Sequence, residues 1–114
     1  MISSVLAMAL AAAAPGPSPD AIARARKAYS ACLGGFMKKS IKDNADDAAF
    51  ESGLKPACAA QEQAFRAAVI ASDTAAGLKR AAAEENAGLE IDDMLANTKE
   101  TFKDTKSGAA DPSS

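Results

Sequence analysis

Two cysteines, Cys32 and Cys58, stand on either side of the polar, helix-poor run Lys42-Asp43-Asn44-Ala45-Asp46-Asp47. Twenty-five residues lie between them, and their midpoint is position 45, inside that run. If two antiparallel helices meet at this turn, residues whose numbers sum to 90 face each other across the seam. Cys32 then lies opposite Cys58, Phe36 opposite Leu54, and Ala25 opposite Phe65. With two cysteines only one intramolecular connectivity exists. The spacing therefore predicts a helical hairpin pinned by a Cys32–Cys58 disulfide.

Composition supports helix throughout. The chain has 114 residues, and 30 of them are alanine, the residue that loses no side-chain entropy in a helix. The β-branched and aromatic residues that strands prefer are scarce. From Asp20 onward only 17 large apolar side chains remain. That is enough for helix-on-helix seams and too few to enclose a deep pocket, and chains of this size often need a covalent staple. The expected fold is all-α: a disulfide-pinned antiparallel hairpin plus a third, longer and weakly amphipathic helix.

Residues 1–14 read as a secretory signal peptide. Val5 to Ala14 is an uncharged apolar run with small residues at alternate positions, as a signal peptidase accepts. Such a run is too short to span a bilayer, which takes about 20 apolar residues. No Lys or Arg lies in the first four residues, so either the start amine supplies the positive charge or the natural start lies slightly upstream. Cleavage is expected within 11–14, before the Pro-rich linker at 15–19. Export and paired cysteines point the same way, because disulfides persist in oxidising compartments. The alanine-rich leader and short domain suggest a bacterial periplasm, with no stable membrane anchor once the leader is removed.

A single helical domain is expected over 20–106, with helices at about 19–42, 47–71 and 74–105 and a disordered tail at 107–114. Ser18-Pro19-Asp20 is a good helix start. The first stripe is Ile22, Ala25, Tyr29, Cys32/Leu33, Phe36/Met37 and Ser40/Ile41. Gly34-Gly35 interrupts it at about 1 kcal/mol per glycine. The pair reads as close helix approach beside the disulfide, or else as a kink that exposes Phe36. Asp46 or Asp47 caps the second helix, whose seam is Phe50, Leu54, Cys58, Gln61, Phe65, Val69 and Ser72. Gln61 is its polar intruder, across from Tyr29. Pro56 either kinks this helix or starts a new segment after a break at 53–55. Ser72-Asp73-Thr74 reads as a turn. The third helix shows Leu78, Ala82, Glu85 and Leu89, then Ile91, Leu95, Thr98 and Phe102, with a phase shift near Asn86-Ala87-Gly88.

The residues narrow the chemistry. There is no histidine, which removes Ser-His-Asp and Cys-His nucleophile systems and the usual zinc sets. The carboxylates at Asp43, Asp46, Asp47 and Glu51 fail a calcium-loop template, with Ala48 where glycine belongs and Leu54 where the closing glutamate belongs. No catalytic residue, cofactor site or metal site is expected. A formal charge of −2 argues against nucleic-acid binding, which depends on neutralising phosphates. The Arg24-Ala25-Arg26-Lys27 run reads as a solvated face.

The leading expectation is a non-enzymatic exported protein that binds a protein partner or a second copy of itself. It would act as a stress-related chaperone, an inhibitor or an envelope accessory. An underfilled third helix would offer Leu89, Ile91, Leu95 and Phe102 as contacts. The alternative is a thiol-disulfide redox factor or small enzyme using Cys32 and Cys58.

Overall fold

The computed structural model describes residues 19–108. The expected leader, most of the Pro-rich linker and residues 109–114 of the tail lie outside them. Among the described residues the chain forms four α-helices and no strand: α1 (Pro19–Lys42), α2 (Asp47–Ala57), α3 (Ala59–Ala75) and α4 (Arg80–Lys106). The fold is all-α, with a Cys32–Cys58 disulfide joining α1 to the junction of α2 and α3. α1 runs one way, α2 and α3 return along it, and α4 runs back beside both α1 and α3.

The turn between the first two arms is built as the acidic run implies. Asn44 takes a left-handed φ of 55°, which Asn tolerates better than most residues. Its N–H donates to the Ile41 carbonyl, and the next N–H, of Ala45, donates to Ser40. This paired closure satisfies two carbonyls that the helix end would otherwise orphan. Asp46 then caps α2, its Oδ1 accepting from the Ala49 N–H at 2.7 Å.

The second arm breaks at Cys58, two residues after Pro56. Proline lacks the N–H that would bond to Ser52 and crowds that carbonyl. The last turn of α2 then tightens, with the Cys58 N–H reaching Lys55 at 3.3 Å, and α3 restarts at Ala59. The interruption falls C-terminal to Pro56, so residues 53–55 stay helical.

α3 continues past the turn expected at Ser72-Asp73-Thr74. Thr74 Oγ1 donates to the Ile70 carbonyl at 2.8 Å, so the hydroxyl bonds back into its own helix instead of capping a new one. Gly77, at φ 100°, ends α3, where glycine adopts the left-handed conformation without steric cost. The N–H groups of Gly77 and Leu78 donate to Thr74 and Asp73. α4 begins at Arg80, about six residues later than the sequence pattern suggests, with no side-chain cap.

Two glycine readings are corrected. A methyl group at Gly34 or Gly35 would meet nothing within 4 Å, so neither marks a close approach. α1 also runs unbroken through them, so neither interrupts it. The close approach is at Gly53, where an added Cβ would lie 2.8 Å from Cζ of Phe36. Phe36 is half-buried and stacks on Phe50.

The core is one cluster along the three arms. At the α1–α2 turn it is aromatic, with Phe50 stacked on Phe102 at 3.9 Å between ring centroids and on Phe36 at 5.7 Å. Leu33, Leu54 and Cys58 fill the middle, and Phe65, Val69, Ile70, Ala83, Ala87 and Ile91 the far half. The buried stripe of α4 is Ala83, Ala87, Ile91, Leu95 and Phe102, stepping by four, four, four and seven. The phase shift anticipated near Asn86 is absent. Two alanines, fully buried, take the inward positions, while Leu78 and Leu89 point outward.

Candidate functional site

Three places in this scaffold hold side chains of functional type: the disulfide, a buried polar cluster beside it, and a groove at the far end.

The disulfide spans 26 residues, with 5.9 Å between Cα atoms. The Cys58 side chain has no solvent exposure, and Cys32 is half-buried. α1 presents Cys32 one residue before buried Leu33, and the break after Pro56 turns Cys58 to meet it.

One turn along, Tyr29 donates its hydroxyl hydrogen to Oε1 of Glu62 at 3.5 Å, a long hydrogen bond. The Lys55 ammonium lies 3.4 Å from the same oxygen. Tyr29 is 1% exposed and Glu62 6%. A buried carboxylate without partners would be costly, and these two groups, one from α1 and one from α2, satisfy it. The Tyr29 phenol is pushed up to about 12. Burial is the main cause, followed by the charge and hydrogen bond of Glu62 and the more distant Asp92, against an opposing pull from Arg66. Sequence reasoning placed Gln61 here. Gln61 is only half-buried, and the inward residue is Glu62. Both choices fit a helical stripe: Cys58-Glu62-Phe65-Val69 steps by 4-3-4, and Cys58-Gln61-Phe65-Val69 by 3-4-4. The signal that could have decided it is the phenol itself, which when buried needs a strong acceptor.

The groove lies where the N-terminal half of α1 meets the end of α3 and the first half of α4. Its volume is about 420 Å³, and its walls are Ile22, Arg26, Val69, Asp73, Asn86, Leu89 and Glu90. Leu89 is 61% exposed. Arg26 pairs with Glu90 at 3.2 Å and lies over the Phe65 ring at 5.5 Å. Asn86 donates to Asp73 at 3.3 Å. These polar contacts frame an apolar patch formed by Ile22, Val69 and Leu89.

The four expected partner contacts separate. Leu89 lies in the groove. Ile91 and Phe102 are 1% exposed and Leu95 7%, so these three belong to the core, because the stripe of α4 that meets α1 and α3 passes through them and not through Leu89. The edge of Leu95 still lines a second groove of about 350 Å³ with Leu54, Lys55, Asp92 and Lys99.

Comparisons with protein-family models, with curated proteins and with solved structures find no match. No helix among the described residues is long and apolar enough to cross a membrane. The closed disulfide fits an oxidising or extracellular compartment.

Proposed function

We propose that this is an exported protein of the bacterial periplasm that acts by binding a protein partner and not by catalysis. Leu89 carries the reading: a large apolar side chain held out at 61% exposure from a regular helix, over a groove already walled by Ile22 and Val69. Apolar surface in a polar frame is the usual composition of a protein contact site. A partner helix could lay one apolar side chain between Ile22 and Leu89 and meet Arg26 and Glu90 at the rim. The thiol and carboxylate groups best suited to chemistry are occupied internally. Cys58 is sealed within its bridge, and the Glu62 oxygen is shared by Tyr29 and Lys55. The apolar run at residues 5–14 and the stapled hairpin support export.

A photo-crosslinking side chain at position 89, with a second at exposed Glu100 as control, tests the binding reading in cells. Reproducible adducts from 89 and none from 100 are the expected result, and light scattering of the purified protein tells a second copy from another partner. Equal labelling at both positions, or none at either, refutes it. Mass spectrometry of the exported form tests the compartment. It should begin after a residue within 11–14 and lack the two thiol hydrogens.

A further inference from the structure

Charge is distributed unevenly over the three arms. α1 carries six cationic side chains, Arg24, Arg26, Lys27, Lys38, Lys39 and Lys42, against one carboxylate, Asp20. α4 carries seven carboxylates against four cations. Lys55, Arg80, Lys103 and Lys106, all outside α1, each have a carboxylate within ion-pair distance. Among the described residues, Arg26 is the one cation of α1 that has one. Arg24 reaches the backbone carbonyl of Asp20, and the four lysines face solvent with no carboxylate partner among the described residues.

These cations are in line. Taken at 100° per residue from Tyr29, which points into the core, Arg24, Lys27, Lys38 and Lys42 fall on the opposite side of α1. Lys27 to Lys42 spans about 22 Å at 1.5 Å per residue. Between Lys27 and Lys38 the same face carries only Ala31, Gly34 and Gly35, and the space beyond both glycines is open; Ile41 lies at its edge as far round as Gly35 does. Asp20, 180° from Tyr29, opens the same face one turn before Arg24, so the face is bare at its centre, mixed in charge at its start and cationic at Lys38 and Lys42.

We infer that the outward face of α1 docks the protein reversibly on an anionic bilayer surface. A protein partner would need a buried anchor, characteristically aromatic or Arg in a pocket, and the centre of this face offers neither a pocket nor a large apolar side chain. Four of the six cations are lysines, compact hydrated point charges suited to a diffuse anionic plane and not to one bidentate site. The apolar side of α1 is used by the core, so the helix lies on the headgroups and does not insert. Of the nearby carboxylates, Glu90 of α4 is paired with Arg26 on the flank, and Asp20 and Asp43 stand at the two ends of the row of cations.

Vesicle co-sedimentation of the exported, processed protein tests this. The vesicles are phosphatidylcholine alone or with about one-third phosphatidylglycerol, at low and physiological salt. Binding should require the anionic lipid and fall steeply with salt. Each lysine removed should weaken it about fivefold, so Lys27→Gln with Lys38→Gln and Lys42→Gln should reduce it about a hundredfold. A control with the same change in net charge, Lys79→Gln with Arg80→Gln and Lys99→Gln, should stay within about twofold because those groups belong to α4 and its N-cap and not to α1. All six substitutions replace side chains that are exposed or, for Lys99, half-buried, and circular dichroism melts confirm that each variant is folded. If a triple variant fails to fold, the single lysine variants replace it. Absence of binding to anionic vesicles overturns the inference. So does an equal loss from both triples, salt-insensitive binding, or α1-dependent capture of poly-glutamate without vesicle binding.

Discussion

The two ends of the bundle are built from the same alanine-rich sequence and differ in how they close. At the α1–α2 turn, three aromatic rings meet: Phe36, Phe50 and Phe102. The C-terminus of α4 is clasped over them. The Lys106 ammonium donates to the Ala45 carbonyl at 3.0 Å and lies 5.4 Å from the Phe102 centroid. At the other end, α4 meets α1 and α3 through Ala83 and Ala87, and Leu78 and Leu89 stay outside. Rings fill the space between helix axes, so the first end is sealed. Alanines draw axes together and leave the larger residues without a place inside. The groove is therefore a product of where alanine falls in the α4 stripe, not of a gap in the packing.

If the ends differ in this way, truncating a ring should cost far more than trimming the groove. Phe50→Ala removes a side chain that is 1% exposed and stacked on two others. It should lower unfolding free energy by about 3–5 kcal/mol, read by urea titration. Leu89→Ala, on a side chain 61% exposed, should change it by less than about 0.5 kcal/mol. A comparable loss at both positions would mean that the far end is as closed as the near one.

The staple lies between the two ends, and its contribution comes next in size. Replacing Cys32 and Cys58 by alanine opens a loop of 26 residues, worth about 3.5 kcal/mol in the chain-entropy account. Small domains have about 5–15 kcal/mol in all, so the double variant should melt far below the parent while remaining helical. The burial of Cys58 also predicts a reduction potential below about −300 mV, as for structural bridges. A higher value would favour the redox alternative.

Tyr29 probes the middle of the molecule. Its phenol titrates at about 12 in the folded chain and about 10 when unfolded. The folded state therefore holds this proton more tightly. The stability tied to that proton is fully present below pH 10 and is lost as pH rises toward 12. Tyr29 is the only tyrosine and there is no tryptophan, so phenolate absorbance follows this one group directly. A native titration midpoint near 10 would show that the phenol is not buried beside Glu62. Tyr29→Phe should flatten the decline of stability across this window.

The hairpin was legible in the sequence because its signals are of high contrast: two cysteines, an acidic turn and large apolar residues at helical spacing. Asn44, Asp46 and the span of α1 follow from these. What escaped notice was carried by small or ambiguous residues. Ala83 and Ala87 look no different from the 28 other alanines, so the sequence pattern of α4 favours Leu78 and Leu89, the larger residues nearby. Glu62 gives no signal of its own, because a charged side chain on an apolar seam is disfavoured until Tyr29 and Lys55 are brought to it. The end of α3 was misplaced because Ser, Asp and Thr favour caps, whereas here Thr74 bonds backward and Gly77 decides the turn.

The finest test contrasts two glycines in the same kind of helix. Gly35 faces open space on α1, so Gly35→Ala should gain the ordinary helix preference of about 1 kcal/mol, raising the melting temperature by about 4–8 °C for a domain of this size. At Gly53 the same methyl group would stand 2.8 Å from Cζ of Phe36. That ring is held against Phe50 at 5.7 Å, so moving it disturbs the aromatic stack. Overpacking of this kind costs about 1–3 kcal/mol, which offsets the helix preference and leaves Gly53→Ala a net loss of up to about 2 kcal/mol. Opposite signs for one substitution would locate the tight contact between the arms at Phe36 and Gly53. If Gly53→Ala stabilises as much as Gly35→Ala, the ring has room to yield and the sealed end is looser than its stacking implies.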